Sequence, residues 1–378
     1  MLRHILKEKN IVLEIFHDQT VLTPGSTLSG SGTPLKVFTP YHREWCSEIK
    51  SDPSVLEPYA EPESNPASIK DSHSALFNHE IPPLPESKSY KAYDTERERI
   101  RKLWPAGHAA GISRLERFFQ KNVHIYADTR TDPGADTSSR LSAYFSAGLI
   151  TPREAVAHAV RCNGKSGANF MTGKNAGINA WVREIVFREF YRQVLVGKPS
   201  DGMNMPHNLK FNYVQWADNE EHWKAWCDGM TGMPLVDAGM RQLKQEAWMH
   251  NRARMNTASY LRTNLLLDYR RGERWFAEHL IDWDLSNNTQ GWEPSYTVFN
   301  PVTQAEKNDP DGEYIRRWVP ELKGVVGKAV FDPWKRLGKK EAEKTGYPKP
   351  IVDWAETKKR AVETFKRDLH RFDGEDEE

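Results

Sequence analysis

The amino-acid sequence predicts a mainly α-helical protein. Apolar residues recur at helical spacing across 178–195, which indicates a long helix with one buried face. The segments Ser113–Glu116 and Thr151–Glu154 both have capping-box spacing, in which a hydroxyl and a carboxylate satisfy helix-end amides. Only two short runs, 11–16 and 35–38, are typical of strands. Two short strands cannot form a stable domain alone, so helices must supply the fold.

The predicted elements follow in chain order. Seven prolines between 52 and 88 predict a linker or a long irregular loop, and the helical character begins near residue 93. Further helices are expected from Pro234 to Leu243, over 251–268, and over 312–319, where Pro320 ends the last one.

Composition excludes several functional classes. The 378 residues carry 53 basic and 52 acidic side chains, so the net charge of +1 excludes a globally basic nucleic-acid coat. No apolar run is long enough to span a bilayer. The 13 tryptophans are about three times the ordinary share for a globular chain. They indicate either a large aromatic core or a site that stacks rings or moves electrons.

Common catalytic motifs are also absent. The sequence lacks the dinucleotide fingerprint, the phosphate-binding P-loop, zinc-ligand spacing and the nucleophile elbow. No metal site is therefore predicted. Cys46, Cys162 and Cys227 are widely spaced, which is typical of a reducing compartment.

Two segments combine polar groups in patterns that suit a phosphate or a base. Residues 138–142 place three serines before an apolar helical stretch that stops at Gly148, where hydroxyls and amides hold a phosphate well; a plain helix cap has the same pattern. Glu184, Arg188 and Tyr191 share a helix face, although Glu184 and Arg188 also have the spacing of an ordinary ion pair.

Two later segments suit a phosphate-rich ligand and a heterocycle. Asn251, Arg254 and Met255 share a face within 239–275, which carries eight basic against three acidic side chains. The alternative is a helix with fringe arginines. The run 282–292 sets two carboxylates beside amides and an indole, which suits a polar heterocycle or else forms a polar turn.

The order of these segments resembles one protein family. The matching motifs are SSRLS (138–142), WVREIVFREFYR (181–192), VQW (214–216), WCDGMTGMPLVDAGMRQL (226–243), WMHNRARM (248–255), LLLDYRRGERWF (265–276), LIDWDLSNN (280–288) and FNPVTQAEKNDPDGEYIRRWVPEL (299–322). The chain is identified as a member of the photolyase/cryptochrome family, and it is most similar to fungal-type class I cyclobutane-pyrimidine-dimer photolyases.

The resemblance implies a domain organisation. A helical FAD-binding catalytic domain would cover 93–335, preceded by a remnant of an α/β antenna domain at 1–50 and an interdomain linker at 51–92. A basic C-terminal extension, 336–378, would end in an acidic, disordered tail from Asp373 to Glu378. About 100 residues of antenna domain are expected to precede Met1. An antenna pterin or deazaflavin is therefore not expected to bind.

The resemblance also assigns site residues. In the family, reduced FAD absorbs a blue photon and passes an electron to the dimer, which opens. Asn288 would face the flavin N5, where plant cryptochromes have Asp. The remaining flavin contacts would be Tyr126, Ser138, Ser139, Arg140, Leu141, Ser142, Trp181, Arg188, Arg254, Asp282, Trp283 and Asp284.

Substrate and electron-transfer roles follow in the same way. Glu184, Asn251, Met255 and Phe187 would contact the dimer, with Glu184 as the proton-capable partner of its carbonyls. Contacts to the DNA would come from Arg130, Arg252 and Tyr191, and the electron chain from the flavin to the surface would be Trp292, Tyr269 and Trp216. The motif residues Trp226, Trp248 and Trp275 are expected to pack.

The chain departs from the family at the predicted pocket. Phe187 and Tyr269 each replace a tryptophan, and Thr297 replaces an arginine. After Trp292 a second tryptophan and a loop of about ten residues are missing, a change that normally falls where a loop is dispensable.

Three hypotheses remain open at this stage. The chain is a light-driven DNA lyase, a cryptochrome-like flavin photoreceptor, or an inactive truncated product. The expected partner is DNA that contains pyrimidine dimers, bound by a monomer with no membrane contact. The expected compartment is the nucleus or cytoplasm, with the mitochondrion as a further option.

Overall fold

A computed structural model describes residues 2–13, 17–57, 63–77, 94–172, 174–295 and 297–370. Helices dominate these residues, which confirms the mainly α-helical prediction. Their β pairing is limited to two isolated bridges, Leu28 with Pro34 and Ala217 with Leu267. Within the same ranges, no helix combines the length and the apolar character needed to cross a membrane.

Ten helices lie in the N-terminal half of the described chain. They are joined by irregular segments and short 3₁₀ turns. Their bounds are α1 Leu2–Glu8, α2 Phe38–Ser51, α3 Ala67–Ser72, α4 Ser74–Phe77, α5 Asp94–Leu103, α6 His108–Lys121, α7 Tyr126–Thr129, α8 Ser142–Ser146, α9 Pro152–Cys162 and α10 Ala176–Gly197.

Ten further helices follow in the described C-terminal half. One turn of π-helix, Tyr260–Asn264, continues directly from α13. The bounds are α11 Glu220–Asp228, α12 Pro234–Glu246, α13 Asn251–Ser259, α14 Tyr269–His279, α15 Leu285–Trp292, α16 Pro301–Asn308, α17 Glu313–Trp318, α18 Pro333–Arg336, α19 Lys339–Thr345 and α20 Trp354–His370.

The two predicted strands are wrong where the structure describes them. Residues 11–13 are irregular, and 14–16 lie outside the described residues. Residues 35–37 are also irregular, and Phe38 begins helix α2. The reason is the helical spacing of Tyr41, Trp45 and Ile49, which buries one face of α2.

The observed helix boundaries confirm some of the predictions made from local sequence patterns and contradict others. The capping box at Thr151 is confirmed, because Thr151 and Glu154 each accept the other's backbone N–H. The one at Ser113 is wrong: α6 begins five residues earlier, because buried Gly111 and Leu115 carry the helix through this point. The helix predicted over 251–268 changes to a π turn after Ser259.

Two large apolar clusters flank the long helix α10. One is formed mainly by α2, α6, α9 and α10, and the other by α11 to α14 with α16 and α17. Helix α20 packs on the π turn, where Asn264 Nδ2 donates to Trp354 O and Thr357 Oγ1. The predicted acidic tail lies outside the described residues.

Helix α10 is fixed at both ends. Near its start, a Cβ on Gly177 would lie 1.7 Å from Val123 O, so only glycine permits this approach. Near its C-terminal end, the buried Glu189 carboxylate accepts from Val21 N, Leu22 N and Trp45 Nε1 at 2.8–3.0 Å. The predicted site residues of α10 therefore lie on a rigid element.

Candidate functional site

Trp181 lies in a buried aromatic cluster. Its ring centroid is 5.1 Å from Phe119 and 5.6 Å from Phe118, and Phe118 is 5.4 Å from Tyr126. Burial, with a further contribution from the Glu184 charge, raises the pKa of the Tyr126 hydroxyl, which therefore stays protonated at neutral pH. The cluster brings two predicted flavin residues, Trp181 and Tyr126, to the same wall.

The serine segment 138–142 is anchored to the junction of α12 and α13. Arg140 pairs with Asp136 at 2.8 Å and Glu246 at 3.0 Å, and its guanidinium lies 4.5 Å from the centre of the Trp248 ring. Trp248 Nε1 donates to Ser142 Oγ at 3.2 Å.

Two further groups of this segment are buried. Leu141 packs in the core beside α6 and α10. Ser138 Oγ is buried without a hydrogen-bond partner among the described residues. A buried hydroxyl without a partner is costly, so it indicates a missing ligand contact.

Arg254 and Asp282 form an ion pair between α13 and the turn before α15. Arg254 Nη2 donates to Asp282 Oδ2 at 2.7 Å, and Arg254 Nε donates to Met249 O at 2.7 Å. The other carboxylate oxygen, Oδ1, is buried and has no partner within the described ranges. It is therefore free to accept from an N–H or O–H group of a ligand.

Asp284 joins the start of α15 to α10. It accepts from Asn287 N at 3.0 Å and pairs with Arg192, while Arg188 Nη2 lies 4.0 Å away. Burial alone would raise its pKa, but Arg192, Asn287 and Arg188 outweigh this effect and hold the pKa below the ordinary aspartate value. Asp284 is therefore ionised at neutral pH.

The Arg188 side chain donates hydrogen bonds to Gln19 and to helix α8. Its guanidinium donates to Gln19 O at 2.5 Å, Gln19 Oε1 at 2.7 Å and Phe145 O at 3.3 Å. Burial lowers its pKa to about 10, which still leaves it charged at neutral pH. Arg188 therefore lies close to Asp284, another predicted flavin residue, and its Nη1 and Nη2 groups already donate three hydrogen bonds to other parts of the protein.

Asn288 and Trp283 border the same turn. Asn288 Nδ2 donates to Glu273 O on α14 at 2.9 Å. The side-chain oxygen of Asn288 takes no part in this hydrogen bond. Trp283 is 41% exposed, and its backbone oxygen accepts from Ser146 Oγ of helix α8. This bond ties the run 282–284 to the end of helix α8, which begins at the last residue of the serine segment.

Glu184 pairs with Arg130 of the segment after α7, rather than with Arg188 one turn along its own helix. The alternative interpretation of their spacing, an ordinary i,i+4 ion pair, does not hold, because Arg188 turns toward Gln19 instead. Burial raises the pKa of Glu184, and Arg130, Arg183 and Arg252 partly oppose the shift. The carboxyl group is thus closer to protonation at neutral pH than an exposed glutamate.

Phe187 and Tyr191 continue the face that carries Glu184. Phe187 stacks on Phe38 of α2 with the two ring planes only 5° apart, and the Tyr191 ring lies 6.3 Å from it. The predicted dimer-stacking ring therefore has one face covered by another phenyl ring.

The start of helix α13 presents the remaining predicted substrate residues. Buried His250 caps the helix, with its side chain accepting from Arg252 N at 3.2 Å. Met255 Sδ accepts from Asn251 Nδ2 at 3.9 Å and from Arg252 Nη1 at 3.7 Å. Asn251 and Met255 are exposed, so this end of the site is open to a large ligand.

The predicted electron chain is only partly in ring contact. Trp216 and Tyr269 are 6.1 Å apart, and Tyr269 and Trp292 are both buried. Gly272, one turn after Tyr269, lies directly against Trp292, where a Cβ would be 2.2 Å from Trp292 Cη2. Helices α14 and α15, which carry Tyr269 and Trp292, are therefore closely packed at this point of the predicted electron chain.

A cavity of about 630 Å³ lies behind the aromatic cluster, between α6, α9 and the start of α10. Its lining includes Phe119, His124, His158, Cys162 and Ile178. None of the predicted site residues lines it.

Three residues outside the predicted set also contribute to the site. Arg192 pairs with Asp284, Glu246 pairs with Arg140, and Phe38 covers Phe187. Arg192 could have been found, because it lies four residues after Arg188 on the same helix face. Glu246 and Phe38 are distant in sequence from their partners and gave no local signal.

Two family models match the sequence. The model for the FAD binding domain of DNA photolyase matches residues 181–367, and the model for DNA photolyase matches residues 1–63. The first range begins within α10 at Trp181 and contains α11 to α15, so it includes the predicted site residues from Trp181 to Trp292.

Known proteins that are similar to this chain in sequence or structure include photolyases. The chain is 40% identical to the deoxyribodipyrimidine photo-lyase of Neurospora crassa, over 97% of this chain and 62% of that protein. It is 35% identical to the enzyme of the same name from Escherichia coli, over 94% of this chain and 73% of that protein. The structure of a class III photolyase from Agrobacterium tumefaciens superposes with a TM-score of 0.78 at 29% identity, over 98% and 76% of the two chains.

Proposed function

The chain belongs to the DNA photolyase family, and on that premise we propose that it is a light-driven DNA lyase that splits cyclobutane pyrimidine dimers with bound FAD. The observation that carries the proposal is the ion pair of Glu184 with Arg130 next to Tyr126, one of the residues predicted to line the flavin. The chain spans 62% of the Neurospora relative and 73% of the Escherichia coli relative, so activity is proposed for what this chain itself contains.

The residues present fit FAD. Ser138 Oγ and Asp282 Oδ1 are buried polar atoms without partners among the described residues, and they suit a phosphate oxygen and a ring N–H respectively. Trp181 and Tyr126 belong to an aromatic cluster that could supply an apolar wall for the ring system. When bound in its reduced form, FAD supplies an electron donor that light can excite.

Charged residues around this wall orient the cofactor. The Arg254–Asp282 pair fixes the carboxylate so that Oδ1 faces inward, and Asp284 is held by Arg192 at the start of α15. Asn288 is fixed through its amide nitrogen, so its oxygen keeps one orientation. Contacts within the protein hold these groups in place, and groups held in this way lower the entropy cost of binding.

Glu184 positions a proton for the substrate. Burial raises its pKa, which favours a carboxyl proton for a carbonyl oxygen of the dimer, while Arg130 opposes that rise and fixes the orientation of the carboxyl group. Arg130 and Arg252 lie at the entrance, where they neutralise phosphates next to the flipped lesion. Flipping costs a few kcal/mol in an intact duplex and less at a damaged step.

We expect the short connection after Trp292 to leave the pocket open. Arg262, in the π turn, donates to Glu293 O at 2.8 Å and to Ser295 Oγ at 3.3 Å, and these bonds tie down the connection. Asn251 and Met255, which are predicted to contact the dimer, are exposed. A wider mouth is expected to weaken lesion binding more than the chemical step.

The repair assay tests the proposal directly. After chemical reduction of bound FAD, blue light should remove thymine dimers from DNA, and Glu184→Gln should lower this rate about tenfold or more because it removes the acid. The matched control is Glu278→Gln, an exposed carboxylate on α14. Bound FAD with no light-dependent loss of dimers would contradict repair and favour a photoreceptor role.

Flavin affinity tests the role of Asp282. Asp282→Asn should weaken FAD binding about tenfold or more, because the amide leaves Arg254 without its ionic partner and removes an acceptor. Equilibrium dialysis with FAD measures the change, and Asp228→Asn, an exposed residue at the end of α11, is the control. Equal affinities for the wild type and Asp282→Asn would place the flavin elsewhere.

The oligomeric state, the compartment and the antenna chromophore are further parts of the proposal. We expect the chain to be monomeric, to act in the nucleus or cytoplasm or in the mitochondrion, and to work without an antenna pterin or deazaflavin. Sedimentation velocity of the holoprotein tests whether it is a monomer. Microscopy of a tagged chain tests the compartment, and the absorption spectrum of the purified protein tests whether an antenna chromophore is bound.

A further inference from the structure

Three tryptophans outside the predicted electron chain form a continuous series of ring contacts with its innermost member, Trp292. The Trp226 ring lies 6.1 Å from Trp292, Trp223 stacks on Trp226 at 5.4 Å, and Trp275 meets Trp223 edge-on at 5.8 Å. Trp292 and Trp226 are buried, whereas Trp223 and Trp275 are half-buried. The series therefore leads from the interior of α15 to the surface formed by α11 and α14.

The predicted chain has a chemical obstacle at its middle position. A phenol that loses an electron must also lose its proton, whereas an indole can carry the positive charge before it loses one. Burial raises the pKa of the Tyr269 hydroxyl, with Arg270 opposing the shift, so its proton is held more tightly than that of an exposed tyrosine. Further out, Trp216 Nε1 is buried without a hydrogen-bond partner among the described residues.

The tryptophan series avoids this obstacle. Each of its rings has the same one-electron chemistry, and Trp226 is held by a hydrogen bond from Nε1 to Thr257 O at 3.1 Å. We propose that electrons reach the flavin through Trp275, Trp223, Trp226 and Trp292, and that this branch, rather than Tyr269, reduces the cofactor in light. This inference rests on the proposed function, because it requires FAD beside Trp292.

The electron balance is complete when a solvent reductant is included. Bound FAD would supply the light-excited acceptor: Trp292 would give up one electron to it, and the positive charge would move outward over Trp226 to Trp223 or Trp275. A thiol in solution would return one electron to the half-buried indole, release its proton to solvent and be oxidised to a thiyl radical. One proton taken up from solvent by the reduced cofactor would balance the one that the thiol releases in each cycle.

The surface end of the series tolerates a transient positive charge. The Arg271 guanidinium lies 4.4 Å from the centre of the Trp223 ring and would oppose a positive charge on it. Two carboxylates neutralise Arg271, however: Glu220 at 2.7 Å and Asp218 at 3.9 Å. Trp275 offers a second resting place, stacked on His279 at 3.8 Å.

Two readouts test the branch in the FAD-loaded chain. The first is the rate of flavin reduction under blue light with a thiol present. The second is the position of oxidised indoles, mapped by peptide mass spectrometry after illumination in air without thiol. The variants are Trp226→Phe, Trp223→Phe and Tyr269→Phe, and the control is Trp334→Phe, a half-buried tryptophan of the same cluster.

We expect Trp226→Phe and Trp223→Phe to lose most of the photoreduction rate, and Tyr269→Phe and Trp334→Phe to keep it. Light should oxidise Trp223 or Trp275 in the wild type and in Tyr269→Phe, but not in Trp226→Phe. The half-buried Trp223 keeps the test valid if Trp226→Phe folds poorly. Loss of photoreduction in Tyr269→Phe, or oxidation confined to Trp216, would overturn the inference.

A parallel assay separates this inference from the proposed function. Repair by chemically reduced FAD does not need the branch, so Trp226→Phe should repair dimers as the wild type does. Unchanged photoreduction in Trp226→Phe would overturn the branch alone, whereas absence of bound FAD in the wild type would overturn both.

Discussion

Replacing Glu189 with alanine should lower the free energy of unfolding by about 3–5 kcal/mol. The Glu189 carboxylate is fully buried and is the acceptor for Val21 N, Leu22 N and Trp45 Nε1. Truncation leaves three buried donors unsatisfied and detaches the N-terminal segment from α10. Arg188, which binds Gln19 in the same segment, would lose its orientation too. Urea unfolding at pH 7 measures the change.

Glu189→Gln provides the matched test of mechanism. Burial raises the pKa of Glu189 to about 7 from its ordinary value of 4.5, so the native state binds this proton more tightly than the unfolded chain does. Its contribution is therefore greatest below about pH 4.5 and falls by about 3 kcal/mol as the pH rises to about 7. Glutamine cannot titrate, so the difference in unfolding free energy between wild type and Glu189→Gln should change over this range.

An exposed carboxylate gives the reference for both variants. Glu278→Ala, on the outer face of α14, should change the unfolding free energy by less than about 0.5 kcal/mol. An equally small effect of Glu189→Ala would show that the N-terminal segment is not held by this carboxyl group. A pH-independent difference for Glu189→Gln would show that folding does not raise the pKa of Glu189.

Gly177→Ala should destabilise the protein by about 3 kcal/mol or more and weaken FAD binding with it. The added Cβ would lie 1.7 Å from Val123 O and 2.8 Å from Val123 C, both backbone atoms that cannot rotate away. Helix α10 would have to move from the segment that carries Tyr126, which separates Tyr126 from Trp181. Calorimetry and flavin fluorescence on the same preparation measure the two effects.

The same helix supplies the control. Gly197, at the end of α10, has no atom within 4 Å of the position of its Cβ, so Gly197→Ala should be neutral or slightly stabilising. If Gly177→Ala also left stability and FAD binding unchanged, the close approach of α10 to Val123 would not be what positions the flavin wall.

Local sequence patterns were sufficient where short-range physics decides the outcome. The helical spacing across 178–195 predicted α10, and the Thr151–Glu154 box predicted the start of α9. The Ser113 box failed because α6 already ran through it, and the β-rich run 35–38 failed because the next residues had a stronger helical pattern. Propensity is a weak prior that tertiary packing overrides.

Partner choice in the site depended on packing that no local pattern contains. The sequence offered Arg188 as the neighbour of Glu184, but the folded chain brings Arg130 across from the segment after α7. Trp226 and Trp275 were expected only to pack, yet their ring contacts with Trp223 and Trp292 depend on how α11, α14 and α15 meet.

The sequence by itself determined the helical class, the family and the residue types around the flavin wall, because helical period and ordered motifs are properties of consecutive residues. Only the tertiary structure decided which carboxylate meets which arginine, which buried polar atoms remain free for a cofactor, and which tryptophans touch. These contacts join residues far apart in the chain, and they are set by the packing of whole helices rather than by the pairs themselves.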